Sequence, residues 1–368
     1  MITSLHNGSM SGARPRAAGG GDTPAAPREE TSPPRTGFRR AAEARHPLPA
    51  IARLTPVART GGILVTGSHR SGTTWVGRML ANAPGVDYIH EPFKPGWSLP
   101  YTFTRSDTWF PYIAGHNEQA WSRDVLRTLT YDYSWSHTYR EAPGLKQAWK
   151  ATNKWARWTA RKFRGRRPLV KDPIALFATP WLADRFGIDV VVMIRHPAAF
   201  ASSIKLKGWT FEWSHWHRQT ELMGTLLAPF AAEVAERAAR PETDLIGQAI
   251  LQWRIFHHVI DAYRQHRPDW HFVRHEDLSL DPVGGYRRMF EHCRLAFTPA
   301  CEHAVRTSTD EGNIKDANAA GKSTHFVQLD AKANVRNWQK RLTPAEIERI
   351  RAGTEDVAVR FYDDSDWG

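Results

Sequence analysis

Two features that constrain most folds are scarce in this chain. It has only two cysteines among 368 residues, Cys293 and Cys301, too few for a disulfide framework, so the fold must be held by a core. His292 and His303 flank the pair, but the HC and CEH pieces lack the paired spacing of a zinc site, and two reduced thiols are expected. No apolar run approaches the ~18 residues of a membrane span. The first residues, Met1-Ile2-Thr3-Ser4-Leu5-His6, carry no signal-peptide core, so a cytoplasmic location is expected. Lysine is missing from the first sixty residues, where nine Arg face one Asp and three Glu.

What is present is charge and core-forming material. Hydrophobic residues make up 41 % of the chain, which excludes a wholly disordered protein. The net charge is +12. The stretch from about residue 61 onward carries more than half of it, so the body is basic as well as the tail. That balance suits an anionic partner: a phosphorylated nucleotide, a nucleic acid or an acidic glycan. Residues 1–60 are rich in Pro, Gly, Ala and Arg and have no hydrophobic period, which reads as a flexible tail. Residues 61–368 read as a single enzyme domain.

Ordered structure is expected from Ile63-Leu64-Val65-Thr66, a β-branched run ending at Gly67, followed by a helix over Thr73 to Asn82. Pro168-Leu169-Val170, Val190 to Ile194 and His271 to Arg274 read as further strands. The second is apolar throughout and belongs in a sheet covered on both faces. Pro197 stands at a helix start, and Thr343-Pro344-Ala345-Glu346 combines a capping box with Pro at the first helical position. Strands alternating with helices predict a three-layer α/β fold with a mostly parallel sheet. Two Trp-rich stretches, about 95–166 and 207–220, read as irregular insertions covering that sheet.

The sharpest motif lies between the first strand and its helix: Gly67-Ser68-His69-Arg70-Ser71-Gly72-Thr73-Thr74-Trp75. Glycines let the backbone approach an anion, inward N–H groups and the helix N-terminus favour negative charge, Arg70 adds a full charge, and Thr73 and Thr74 add hydroxyls. A nucleoside-triphosphate loop would place Lys after the second Gly. Thr73 stands there instead, and the cation sits inside the loop. A second candidate anion site is Arg195 at the end of the apolar strand, with Ser203 eight positions on.

Arg70-Ser71-Gly72-Thr73-Thr74-Trp75 resembles the first donor loop of the sulfotransferases that use 3′-phosphoadenosine-5′-phosphosulfate. That loop reads [KR]-S-G-T-T followed by an aromatic or apolar residue. Lys171-Asp172-Pro173 is similar to an element of the protein-tyrosine branch and of many bacterial members. Arg274-His275-Glu276-Asp277-Leu278 resembles the family's R-Y-E-D-L, with His275 where the family has the Tyr that contacts adenine. Asn334-Val335-Arg336-Asn337-Trp338 resembles the C-terminal phosphate-contacting segment. The resemblance runs from about Gly62 to the C-terminus and leaves the Trp-rich stretches unmatched. It implies a P-loop-like fold and sulfuryl transfer to a hydroxyl without a metal, since cationic side chains replace one. Ser71 and Gly72 would belong to the donor cradle, Arg195 and Ser203 would hold the 3′-phosphate, Arg336 would add a phosphate contact, and Trp75 would stack on adenine.

In-line transfer needs charge stabilisation on the leaving group and a base for the acceptor proton. Arg70 and Lys171 are the candidates for the first task. Glu91, in His90-Glu91-Pro92, is the candidate base, with His90 as its rival. The Trp-rich stretches suggest aromatic faces for a sugar ring, hence a glycan or glycolipid acceptor first, and a phenol or small alcohol second. Two other readings compete: a small-molecule kinase, which would need Mg²⁺ and the missing loop Lys, and a polyanion binder without catalysis. No specific nucleic-acid partner is expected.

Overall fold

The computed structural model describes residues 51, 53–95, 107–132, 144–310 and 331–368. Five parallel strands form its sheet: β1 (Ile63–Gly67), β2 (Val86–His90), β3 (Arg167–Lys171), β4 (Asp189–Ile194) and β5 (His271–Arg274). Their order across the sheet is β2-β3-β1-β4-β5. The chain leaves β1 to build one side of the sheet and returns to build the other. Such a reversal opens a crevice at the carboxyl ends of the central strands. The register pairs Val65 with Lys171 and Val191, His90 with Lys171, and Ile194 with Arg274, so the strands end on a common rim.

Alternation along the strands feeds two cores. Leu64, Ile89, Val170, Val190, Val192 and Ile194 face one, while Ile63, Val65, Val86, Leu169, Val191 and Met193 face the other. The described helices are α1 (Thr73–Leu80), α2 (Gln119–Leu129), α3 (Leu145–Phe163), α4 (Thr179–Phe186), α5 (Pro197–Lys207), α6 (Ala231–Ala238), α7 (Leu245–His266), α8 (His275–Leu280), α9 (Pro282–His292), α10 (Pro299–Thr309) and α11 (Pro344–Ala358), with several shorter turns. Helices α4, α5 and α7 bury residues in the first core, and α1, α9 and α10 in the second. Cys293 and Cys301 are free thiols buried in the second core, where His292 bonds the Val190 carbonyl at 3.1 Å. Among the described residues no helix is long and apolar enough to cross a membrane.

Every strand and helix start expected from sequence is present, including the full capping box at Thr343 and Glu346. Two regions differ. The stretch read as irregular holds α2 and the nineteen-residue α3. Helix α3 follows Gly144 without a capping side chain and has no acid in its first turn, so the usual start signals are missing. The boundary of the tail also differs. The amides of Val57 and Ala58 donate to the Arg185 carbonyl and Thr60 donates to Phe186, all at 2.9 Å, while Arg53 pairs with Asp269 at 2.7 Å. Backbone hydrogen bonds and an ion pair leave no hydrophobic period to read. The rest of the expected tail, with Trp97 and Trp135, lies outside the described residues.

Most of the described tryptophans are packing residues. Trp158, Trp213 and Trp216 are buried in the first core and Trp109 and Trp121 pack against it, whereas Trp209 and Trp149 stay exposed.

Candidate active site

Four of the proposed residues arrive on the rim of strand ends directly: Lys171 closes β3, Glu91 follows β2, Arg195 follows β4 and His275 follows β5. Arg70 comes from the loop after β1. That loop is held by its own bonds. Ser71 donates from N and Oγ to the Ser68 carbonyl, at 3.3 and 2.6 Å. Gly72 caps α1 at φ 92°, and a Cβ there would lie 2.6 Å from Nδ1 of His275. Only glycine satisfies both the left-handed backbone and the close ring. Thr73 is buried in the first turn of α1, and Thr74 is half-buried beside it.

Trp75 is half-buried. Its indole donates to Ser308 Oγ at 3.0 Å, and its ring meets His275 and Tyr286 edge-on at 5.7 and 5.4 Å. It therefore joins the loop to α9 and α10. His275 is 7 % exposed and wedged between Gly72 and Trp75. Burial pushes its pKa well below the usual histidine value, so the ring is neutral.

The two anion loops meet. Arg70 Nε donates to Ser203 Oγ at 2.8 Å, and Arg195 Nη1 donates to the Arg70 carbonyl at 3.4 Å. Arg70 keeps a solvent-exposed surface although Ser203 and Trp209 lie against it. Desolvation there, then the charges of Arg195 and Arg341, lower its pKa. Two further guanidinium groups, Arg195 and Arg341, act on Arg70, and an anion bound there would relieve that field. Arg336 is exposed, with Nη2 3.5 Å from the Ser365 carbonyl; its charge reaches His196, next to Arg195.

At the other end of the rim, the Lys171 ammonium bonds the Glu91 carboxylate. Lys171 is 1 % exposed and Glu91 19 %. Burial alone would raise the Glu91 pKa, but the charge and hydrogen bond of Lys171 outweigh it and hold the carboxyl below its usual range. Burial lowers the Lys171 pKa, with Glu91 opposing. His90 Nε2 is 3.9 Å from Glu91, and its Nδ1 is 3.1 Å from the Tyr88 hydroxyl. Burial, then Lys171, lowers the His90 pKa to about 4. Both candidate bases thus stand side by side, one a carboxylate and the other a neutral imidazole.

Arg70 and Glu91 have φ of 65° and 43°, left-handed values uncommon for residues with a side chain. Strain of this kind persists only where surroundings over-determine it, and it concentrates at functional sites. Part of the restraint at Glu91 is visible: its amide donates to the Lys171 carbonyl at 2.9 Å.

Several supporting residues were not assigned from sequence. Asp172 accepts from the amides of Phe93 and Ile174 at 2.7 and 2.9 Å, fixing the turn that carries Glu91 to the end of β3. It is fully buried, and burial, then the Glu91 charge, raises its pKa to about 7. Glu276 lies 3.8 Å from Arg195 Nε and accepts from the His196 amide at 3.1 Å and the Tyr362 hydroxyl at 3.0 Å. Trp338 stacks on His196 at 5.2 Å and Trp367 meets it edge-on at 4.4 Å. The C-terminal segment thereby braces the β4 loop. Asp172, Glu276 and Trp338 lie inside the sequence motifs given above; Tyr362 and Trp367 left no signal.

Residues 62–299 match the sulfotransferase family. No curated protein matches the chain. Among solved structures, the chain is similar to the sulfotransferase domain of the Synechococcus PCC 7002 olefin synthase, at 16 % identity over 85 % of this chain and 98 % of that one, with a TM-score of 0.44. It is also similar to sulfotransferase STF9 of Mycobacterium avium, at 13 % identity over 83 % and 78 % of the two chains, with a TM-score of 0.37. For a mouse sulfotransferase complexed with PAP the values are 11 %, 83 %, 86 % and 0.39. The family match covers nearly two thirds of the sequence and takes in both anion loops, Glu91, Lys171 and His275. The chain belongs to the sulfotransferase family.

Proposed function

We propose that this sulfotransferase moves a sulfuryl group from 3′-phosphoadenosine-5′-phosphosulfate to a hydroxyl of a glycan or glycolipid, with Glu91 as the base. The observation that carries the reading is the convergence of Arg70, Glu91, Lys171, Arg195 and Ser203 on one rim of a parallel sheet, with three arginines at one end and a carboxylate–ammonium pair at the other. The anionic donor would lie along that rim. Arg195 and Ser203 hold its 3′-phosphate, the 68–74 loop cradles its 5′-phosphate, and Arg70 and Lys171 flank the transferred group.

In the step itself the acceptor oxygen forms a bond to sulfur while the bond from sulfur to the 5′-phosphate oxygen breaks. The acceptor proton passes to Glu91, and the electron pair of the broken bond leaves with the 3′,5′-bisphosphate. Charge building on that leaving group falls beside Arg70 and Lys171, where fixed cations lower the barrier. Trp209 supports the sugar reading: its ring is 47 % exposed and carries the Arg70 guanidinium 5.4 Å from its centroid. It offers a flat face beside the reacting groups.

Thermal shift tests the donor assignment. The 3′,5′-bisphosphate product should raise Tm by mass action, while AMP, lacking the 3′-phosphate, should not. Equal shifts would refute the roles of Arg195 and Ser203. Turnover of simple phenols with no turnover of sugars would refute the acceptor.

A further inference from the structure

Helix α3 carries a second apolar face that the catalytic reading leaves unused. Its inner side is fastened to the body. Trp158 is buried, with the Arg161 guanidinium 4.8 Å from its ring centroid, Arg161 pairs with Asp87 at 2.7 Å, and Lys162 pairs with Asp132 at 2.9 Å. The outer side is different. Leu145, Trp149, Ala156, Ala160 and Phe163 recur at intervals of three, four and seven, which places them on one stripe of a helix. Leu145 is 90 % exposed, Trp149 68 % and Phe163 84 %. Trp149, Ala156 and Ala160, with Lys150, Asn153 and Arg157, line an open groove of about 890 Å³ along this face.

The charge beside the stripe has one sign. Residues 145–163 hold Lys146, Lys150, Lys154, Arg157, Arg161 and Lys162 and no carboxylate. Lys146, Lys150 and Arg157 are exposed and form no ion pair among the described residues. A second copy of the chain would bring like charges together at this face and is disfavoured. The terminal apolar groups, Leu145 and Phe163, are about 27 Å apart along the axis. Spread along a straight helix with basic side chains at the flank, they match an element lying flat in a bilayer interface, with apolar groups in the acyl boundary and cations at anionic headgroups.

We propose that the outer face of α3 docks the enzyme on an anionic membrane surface. The proposal is independent of the donor and base assignments and stands whatever the acceptor is. Docking through a surface helix would hold the protein at the bilayer without a spanning segment, and salt would release it as screening removes the electrostatic part.

The test is sedimentation of the full chain with lipid vesicles. Wild type should pellet with vesicles of phosphatidylcholine containing phosphatidylglycerol and remain in the supernatant with phosphatidylcholine alone. Lys150→Glu with Arg157→Glu should lower the partition coefficient roughly ten-fold or more. Trp149→Ser with Phe163→Ser should lower it by a similar factor. Both pairs lie on the exposed face, and an unchanged Tm for each shows that the fold is kept. Should the apolar pair unfold the chain, the charge pair alone decides. Absence of binding to anionic vesicles would overturn the proposal. So would equal binding by the charge variant, which would place any membrane contact elsewhere, such as the Arg-rich first sixty residues. Concentration-dependent dimerisation through the same face, without vesicle binding, would also refute it.

Discussion

The ion pair between Lys171 and Glu91 makes the most exacting prediction, because one perturbation separates three consequences. Lys171→Met removes the buried cation and keeps its bulk. At an effective dielectric near 20, two charges about 4 Å apart interact by roughly 4 kcal/mol. Water reaching Glu91 screens part of this, so about 1–3 kcal/mol of coupling should survive in a double-mutant cycle with Glu91→Gln. The sign of the pH effect follows from the causes. Glu91 is held below its usual pKa in the folded chain, so its contribution to stability is present above the unfolded value and is lost as pH falls through the folded one. Without Lys171, burial is no longer outweighed and the folded pKa rises. The acid limb of kcat/KM, which reports the free enzyme, should move to higher pH in Lys171→Met. Glu91→Gln should lower kcat by roughly 10²–10⁴-fold with donor affinity nearly unchanged, and His90→Ala should cost much less. The assay is initial rate against pH for the three variants, with chemical denaturation alongside. An acid limb that stays in place in Lys171→Met would refute the coupling. A Glu91→Gln enzyme that turns over normally but binds donor poorly would make Glu91 an organiser of its turn and transfer the base role to His90.

Gly72→Ala combines a left-handed backbone with a Cβ only 2.6 Å from His275; it should cost about 1–3 kcal/mol and weaken nucleotide binding, read by calorimetric titration with the bisphosphate. Thr343→Ala removes one half of a capping box; it should cost about 1 kcal/mol in denaturant unfolding.

The fold was legible where burial and chain direction agree. A strand covered on both faces must be apolar along its whole length, so β1 and β4 announce themselves, and a glycine-rich turn or a proline then marks the helix that follows. Helix α3 is the opposite case. Its start is uncapped and no acid stands in its first turn, so the boundary signals that mark other helices are missing. Helix α7 buries residues nearly all round over twenty-two positions and shows no stripe. The tryptophans misled in a related way. Composition counts them but does not say which way they face, and Trp158, Trp213 and Trp216 point into the core, leaving Trp209 as the exposed ring beside Arg70.

The site divides along the same line. Most residues that would touch the donor sit in short loops after strands or in the first turns of the helices that follow, where the local backbone needs glycine, serine or a fixed cation, and those needs are written in nearby positions. Residues that hold them in place are distant in sequence. Tyr362 reaches Glu276 across 86 positions, and Trp338 and Trp367 close on His196 from the C-terminal segment. Nothing local requires a tyrosine at 362; the requirement comes from a buried carboxylate whose pKa burial raises and whose charge must be kept beside Arg195. The hydroxyl of Tyr362 and the amide of His196 supply hydrogen bonds to that carboxylate, so the orientation of Arg195 depends on contacts that form only when the C-terminus has folded back. Reading such partners from sequence would require knowing first that β4 and β5 are neighbours, which is itself a product of the fold.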